Sequence, residues 1–244
     1  MSLDLTPYEA LTTAAVRTFW LSRGRASERT AGRDTGTRGA VTGGKNLDGF
    51  VQLVEAVVAA NGDGSERVYC GTGSGPVDRH TVLPGYYRPV KDWDVVVMRG
   101  ASLVAAVEFK SQVGSLGNNF NNRAEEAVGM GEDLRVAFRE GRFGAQARPF
   151  VGYLLLIGET AQATTPVRAV SRHFETDPVF AGASYAARYD EMCRRLVREG
   201  LYDAATLLLS PAGESGAYRE WAVDTGIRPF VARLAARVAE AAAV

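Results

Sequence analysis

A mixed β-sheet flanked by helices, of α/β or α+β type, is the fold class this sequence predicts. Three observations predict it. Two Val-rich segments, 94–98 and 103–110, stand either side of a four-residue turn and read as a β-hairpin. Two short, wholly apolar runs, 150–157 and 204–210, have the look of strands buried on both faces. Between and around them lie segments with apolar residues at helical spacing.

From the N-terminus, 7–23 has helical periodicity with Pro7 at a plausible first-turn position. Residues 24–44, rich in Gly, Thr and Arg, have no periodicity and read as a long loop. Residues 47–60 form an amphipathic helix closed by Asn61-Gly62, and 67–75 hold a short strand and a Gly-rich turn. After the hairpin and a polar loop, 122–139 reads as a helix, with Asn122 as N-cap and Glu125 completing a capping box. Helices at 185–199 and 226–243 complete the pattern. The chain is read as a single domain over 1–244 with a basic loop at about 23–46.

Composition narrows the function classes. No apolar run has the length of a membrane helix, and nothing at the N-terminus suggests a signal peptide, so a cytoplasmic protein is expected. Cys70 and Cys193 fit no metal or disulfide spacing. Net charge is zero, with 28 basic and 28 acidic residues, yet Arg17 to Asn46 holds seven basic residues against Glu28 and Asp34. A polyanion meets the local field, so that segment matters more than the sum. Lysine occurs only at 45, 91 and 110, and arginine fills every other basic position. A surviving lysine can mark a site that needs a compact point charge instead of a planar fork. Lys45 and Lys91, taken alone, read as survivors of an arginine bias. The neighbours of Lys110 point further.

With the hairpin turn near Gly100–Ala101, partners sum to about 201–202, which sets Asp94 opposite Val107 or Glu108. Glu108 and Lys110 share one strand face; Leu103, Ala105, Val107 and Phe109 form the other, apolar one. Asp92, expected just before the strand, is the second-choice acid. Two carboxylates suit a hard divalent cation such as Mg²⁺, and a lysine beside them can hold or deprotonate an attacking water. That combination fits phosphodiester hydrolysis.

Lys91-Asp92-Trp93-Asp94 followed at a distance by Glu108-Phe109-Lys110 resembles the PD-(D/E)XK nuclease motif, with Trp93 where the motif has proline. The segments 36–45, 108–114 and 117–123 are similar to XhoI-type type II restriction endonucleases over what reads as the whole chain. This resemblance implies Asp94, Glu108 and the Phe109 carbonyl as Mg²⁺ ligands and Lys110 at the water. It also implies a palindromic double-stranded DNA substrate, CTCGAG cut to leave 5′ overhangs, and a homodimer whose two-fold axis matches the palindrome.

Secondary candidates are Glu55, as an extra acid on a helix before the hairpin, and Asn118, Asn119, Asn121, Asn122 and Arg123, whose side chains could read bases or phosphates. The basic loop, with Arg38 and Lys45, could order on DNA. His80 and His173 read as structural or surface residues, and 71–75 as a plain turn. Two other functions remain open: a repair or junction nuclease that selects DNA by structure, and a non-catalytic DNA-binding module on a degenerate nuclease fold.

Overall fold

The computed structural model describes residues 3–30, 47–71 and 79–243. Its centre is a six-stranded mixed sheet in the order β1-β4-β5-β6-β7-β8. The strands are β1 (Glu66–Cys70), β4 (Val95–Arg99), β5 (Ser102–Gln112), β6 (Phe150–Gly158), β7 (Ala204–Ser210) and β8 (Arg219–Glu220). β5, β6 and β7 run parallel, with antiparallel neighbours on each side. Every residue of β6 and β7 is buried, as continuous apolar runs require when helices cover both faces.

Helices α1 (Tyr8–Thr30), α2 (Asp48–Asn61) and α6 (Ile227–Ala242) cover one face. They pack Phe19, Phe50, Val54 and Phe230 against Val107, Phe109 and Leu154. Helices α3 (Leu116–Arg139), the short α4 (Ala161–Thr164) and α5 (Tyr185–Arg198) cover the other, around Val96, Ala106, Tyr153 and Tyr189. The start of α5 is locally specified, because the Ser184 hydroxyl accepts the Ala187 amide at 3.3 Å. A separate hairpin, β2 (Val82–Pro84) with β3 (Val90–Asp92), lies before the sheet's central strands and had no counterpart in the sequence reading.

Three expectations need correction. The loop expected from residue 24 does not begin there, because α1 continues to Thr30; residues 31–46, with Arg38 and Lys45, lie outside the described residues. Most of the expected Gly-rich turn at 71–75 lies outside them as well. Helix α3 starts at Leu116, six residues before Asn122, which is therefore not its N-cap. Gly114 and Ser115, at φ 75° and 47°, turn the chain sharply, and the fully buried Leu116 anchors the first helical turn. The third correction is in β5. The register shifts between Val97 and Met98: Val97 pairs with Ala105 but Met98 with Leu103. Val104 is the extra residue of a bulge. Leu103 consequently packs in the α3/α5 core, while Val104, Ala105, Val107 and Phe109 pack in the α1/α2/α6 core.

A candidate active site at the end of the catalytic-type hairpin

The β4–β5 hairpin turns at Gly100, φ 57°, a conformation that suits a residue without Cβ. From there the pairs sum to 201 before the bulge and 202 after it, ending at Val95↔Val107. The next step along the ladder brings Asp94 beside Glu108, and the Asp94 Oδ2 atom accepts the Phe109 amide at 2.7 Å. Lys110 reaches back along its own strand to the Glu108 Oε1 atom. Asp94, Glu108 and Lys110 thus meet, as the sequence led one to expect.

The opposite faces are settled by packing. Phe109 points back into the α1/α2/α6 core, its ring 5.9 Å from that of Phe50. Glu108 and Lys110 point the other way, into a cleft of about 640 Å³ lined by Tyr87, Lys91, Arg123 and Asp133 as well. Glu108 is only 2% exposed. A carboxylate so far from water needs compensating charge, and it has two sources. Lys110 is one. The other is Lys91 on β3, whose Nζ lies 2.8 Å from the Glu108 Oε2 atom.

Lys91 is the site residue that sequence reasoning missed. The signal was present: two of the three lysines in the chain converge on one glutamate. It could be found only by asking the question of Lys110's rarity at Lys91 too. Its ammonium lies over the Trp93 ring, 5.0 Å from Nζ to the ring centre, and Nζ also donates to the Asp92 carbonyl. Asp92 itself is exposed and turned away, its Oδ1 atom accepting the Thr81 hydroxyl at 2.6 Å. The second-choice acid does not join the cluster.

The far wall of the cleft belongs to α3. Asp133, 3% exposed, accepts the backbone amides of Tyr86 and Tyr87 at 2.8 and 2.7 Å and the Arg88 Nε at 2.7 Å. Burial opposes its ionisation, but the Arg88 guanidinium and the two amides outweigh it and hold the carboxyl below its ordinary range. The tip of the β2–β3 hairpin is thereby fastened over the cleft. Gly85 makes this possible, since a Cβ there would come within 2.6 Å of both the Arg88 carbonyl and Asp133 Oδ2.

Of the base- or phosphate-reading candidates, Arg123 lines the cleft, next to Glu126 on α3. Asn118, Asn121 and Asn122 are exposed on the first turns of α3, and Asn119 is half-buried, its amide donating to the Ser115 carbonyl at 2.9 Å. Asn118, Asn119 and Asn121 sit on this helix, not in the polar loop expected from the sequence. Glu55 is exposed on α2, which packs on the sheet face opposite to Glu108 and Lys110. The structure does not bring it to the cluster. His80 stacks on Tyr69, and His173 is exposed.

The residues fit a hard divalent cation. Among the described residues no group of three or more His, Cys, Asp or Glu side chains forms a metal site. Two carboxylates with a backbone carbonyl beside them still give an oxygen donor set that leaves room for water and phosphate, as Mg²⁺ prefers. Burial, and then the charge of Glu108, push the Asp94 carboxyl up to about 6. Bound positive charge would relieve that repulsion.

A six-stranded mixed sheet with an acid–acid–lysine set at the end of its central hairpin defines a nuclease-type α/β enzyme. Comparison with known proteins agrees with this class and narrows it. The family model described as Restriction endonuclease XhoI matches residues 26–220. The chain is 46% identical over 214 residues to the type II restriction enzyme XhoI of Xanthomonas vasicola, covering 87% of this chain and 84% of that protein. It is 43% identical over 226 residues to BstVI of Geobacillus stearothermophilus, covering 89% and 98%. It is 40% identical over 197 residues to AbrI of Azospirillum brasilense, covering 77% and 86%. Both of these are also named type II restriction enzymes. No solved structure matches the chain. The chain belongs to the XhoI restriction endonuclease family and is a site-specific deoxyribonuclease.

Proposed function

We propose that the protein cuts both strands of DNA at a palindromic site in a Mg²⁺-dependent reaction, with Asp94, Glu108 and Lys110 as its catalytic centre. The observation that carries this reading is that Glu108 and Lys110 face one cleft while Asp94, bonded to the Phe109 amide, adjoins them at the same hairpin end. In it, Asp94, Glu108 and the Phe109 carbonyl hold the cation. When bound, Mg²⁺ supplies Lewis-acid stabilisation of the phosphate and lowers the pKa of water. Lys110 stands where it can orient the attacking water and offset negative charge on the phosphate. The Phe109 amide fixes the Asp94 carboxylate, so the acid pair is preorganised instead of being assembled on binding.

By family resemblance the site is CTCGAG, cut to leave 5′ overhangs. A palindrome read by equal halves calls for a homodimer with one active centre per strand. Arg123 in the cleft wall is assigned to the phosphate backbone, with the Asn-bearing start of α3 and the basic segment around Arg38 and Lys45 as further DNA contacts. A single nuclease domain and residence in the cytoplasm complete the reading; no helix among the described residues is long and apolar enough to cross a membrane.

The test is cleavage of a large linear DNA of known sequence with Mg²⁺ and with EDTA. Discrete fragments ending at CTCGAG, formed only with Mg²⁺, are expected. Cutting governed by branches or ends would favour a repair nuclease, and binding without cutting a degenerate module. Lys110→Ala should lower cleavage about 10²–10⁴-fold while retaining DNA binding, and near-normal cleavage by that variant would remove Lys110 from the centre.

A further inference from the structure

One glutamate beside two ammonium groups is more counter-charge than a buried carboxylate needs. Lys110, two residues along the same strand, already neutralises Glu108. Lys91 comes from a different element, the β2–β3 hairpin, and takes the second oxygen. Its side chain is only 12% exposed, so its charge acts with little screening by water. With Asp94 ionised, the four groups sum to zero: two carboxylates, two ammoniums. The cluster is electrically complete without any bound ion.

We infer that Lys91 is an internal counter-ion that competes with the divalent cation for Glu108. This rests on the reading of Asp94 and Glu108 as cation ligands and adds a positioning residue to it. The competition has a physical basis in the two oxygens of Glu108, both of which are engaged by ammonium groups. A divalent ion added to the neutral cluster would raise its charge to +2 unless an ammonium withdraws. Lys91 is the one suited to withdraw. It belongs to the β2–β3 hairpin and not to the strand that carries the ligand, and the cleft it faces also contains Arg123, which could exchange its partner Glu126 for a DNA phosphate. A phosphate in the cleft would attract the Lys91 ammonium away from Glu108. DNA and cation would then each strengthen the binding of the other, as linkage demands.

Calorimetric titration of Mg²⁺ into the DNA-free protein at pH 8 tests this, with wild type, Lys91→Met, Lys91→Gln, Lys91→Arg and Asp94→Ala. Methionine keeps an unbranched apolar side chain at this position and removes the charge; glutamine serves if the methionine variant does not fold, as judged by circular dichroism and thermal melting. The expected result is Mg²⁺ binding at least about fivefold tighter in the uncharged variant than in wild type, with Lys91→Arg close to wild type. With a duplex present, the factor by which duplex and Mg²⁺ strengthen each other should shrink in the uncharged variant. Unchanged or weaker Mg²⁺ binding by a folded uncharged variant, or equal tightening by Lys91→Arg, overturns the inference. Failure of the underlying reading is distinct: neither wild type nor the uncharged variant would bind Mg²⁺ with or without duplex, or Asp94→Ala would bind it as well as wild type.

Discussion

Glu108 and Asp133 look into the same cleft as buried carboxylates, 2% and 3% exposed, and are satisfied in opposite ways. Asp133 is held by two backbone amides, which are fixed to the chain, together with the Arg88 guanidinium, at 2.7–2.8 Å. Glu108 is held by two ammoniums on flexible stems. The first arrangement fastens one piece of chain to another. The second is a set of contacts that an incoming cation or phosphate can exchange. Burial alone does not separate a structural acid from a functional one; the mobility of its partners does.

That contrast can be broken by experiment, beginning with the largest effect. Glu108→Gln should lower Mg²⁺-dependent cleavage by about 10³-fold or more in a plasmid assay, with only a small change in melting temperature. Comparable loss of stability there would erase the distinction. Asp133→Ala should do the reverse in kind. It leaves two backbone amides and a guanidinium without their acceptor and should cost about 1–2 kcal/mol in denaturant unfolding, with faster hydrogen exchange at the Tyr86 and Tyr87 amides.

Asp94→Asn comes next, and pH sharpens it. The Asp94 carboxyl is raised from 3.8 to about 6, so keeping it ionised in the fold is unfavourable above about pH 6 and costs nothing once both states are protonated below pH 3.8. At pH 7.5 in EDTA the variant should be more stable than wild type by about 2 kcal/mol, and the gain should vanish as the pH falls towards 4. A gain independent of pH would mean that ionisation is not its source. Gly85→Ala should cost about 1–2 kcal/mol by pushing the hairpin off Asp133. Glu55→Ala, on the far side of the sheet, should change stability by less than about 0.5 kcal/mol and leave the cleavage rate unaltered.

The parts of the molecule that were legible are those whose local pattern and tertiary role agree. The apolar runs of β6 and β7, helix α5, and the meeting of Asp94, Glu108 and Lys110 were all readable, because burial pattern, helical spacing and strand pairing each leave a short-range mark. The misses share a different cause. Residues 116–121 are polar and Asn-rich, yet helical, because Leu116 is anchored in the α3/α5 core. The three-residue strands β2 and β3 owe their place to Asp133, which follows β3 by 41 residues. Lys91 has meaning only once that hairpin is folded over the cleft. Contacts between distant segments leave no periodicity to read.

The bulge at Val104 gives β5 one residue of slack. Leu103 packs with α3 and α5, Val104 and Ala105 both face the α1/α2/α6 core, and strict alternation from Ala105 onward puts Glu108 and Lys110 on the cleft side and Phe109 in the core. Loss of Val104 would straighten the strand and leave that alternation as it is. Loss of a residue between Ala105 and Glu108 would present phenylalanine to the cleft and bury the glutamate and lysine among Phe50 and its neighbours. Past its bulge, this strand can change only in twos.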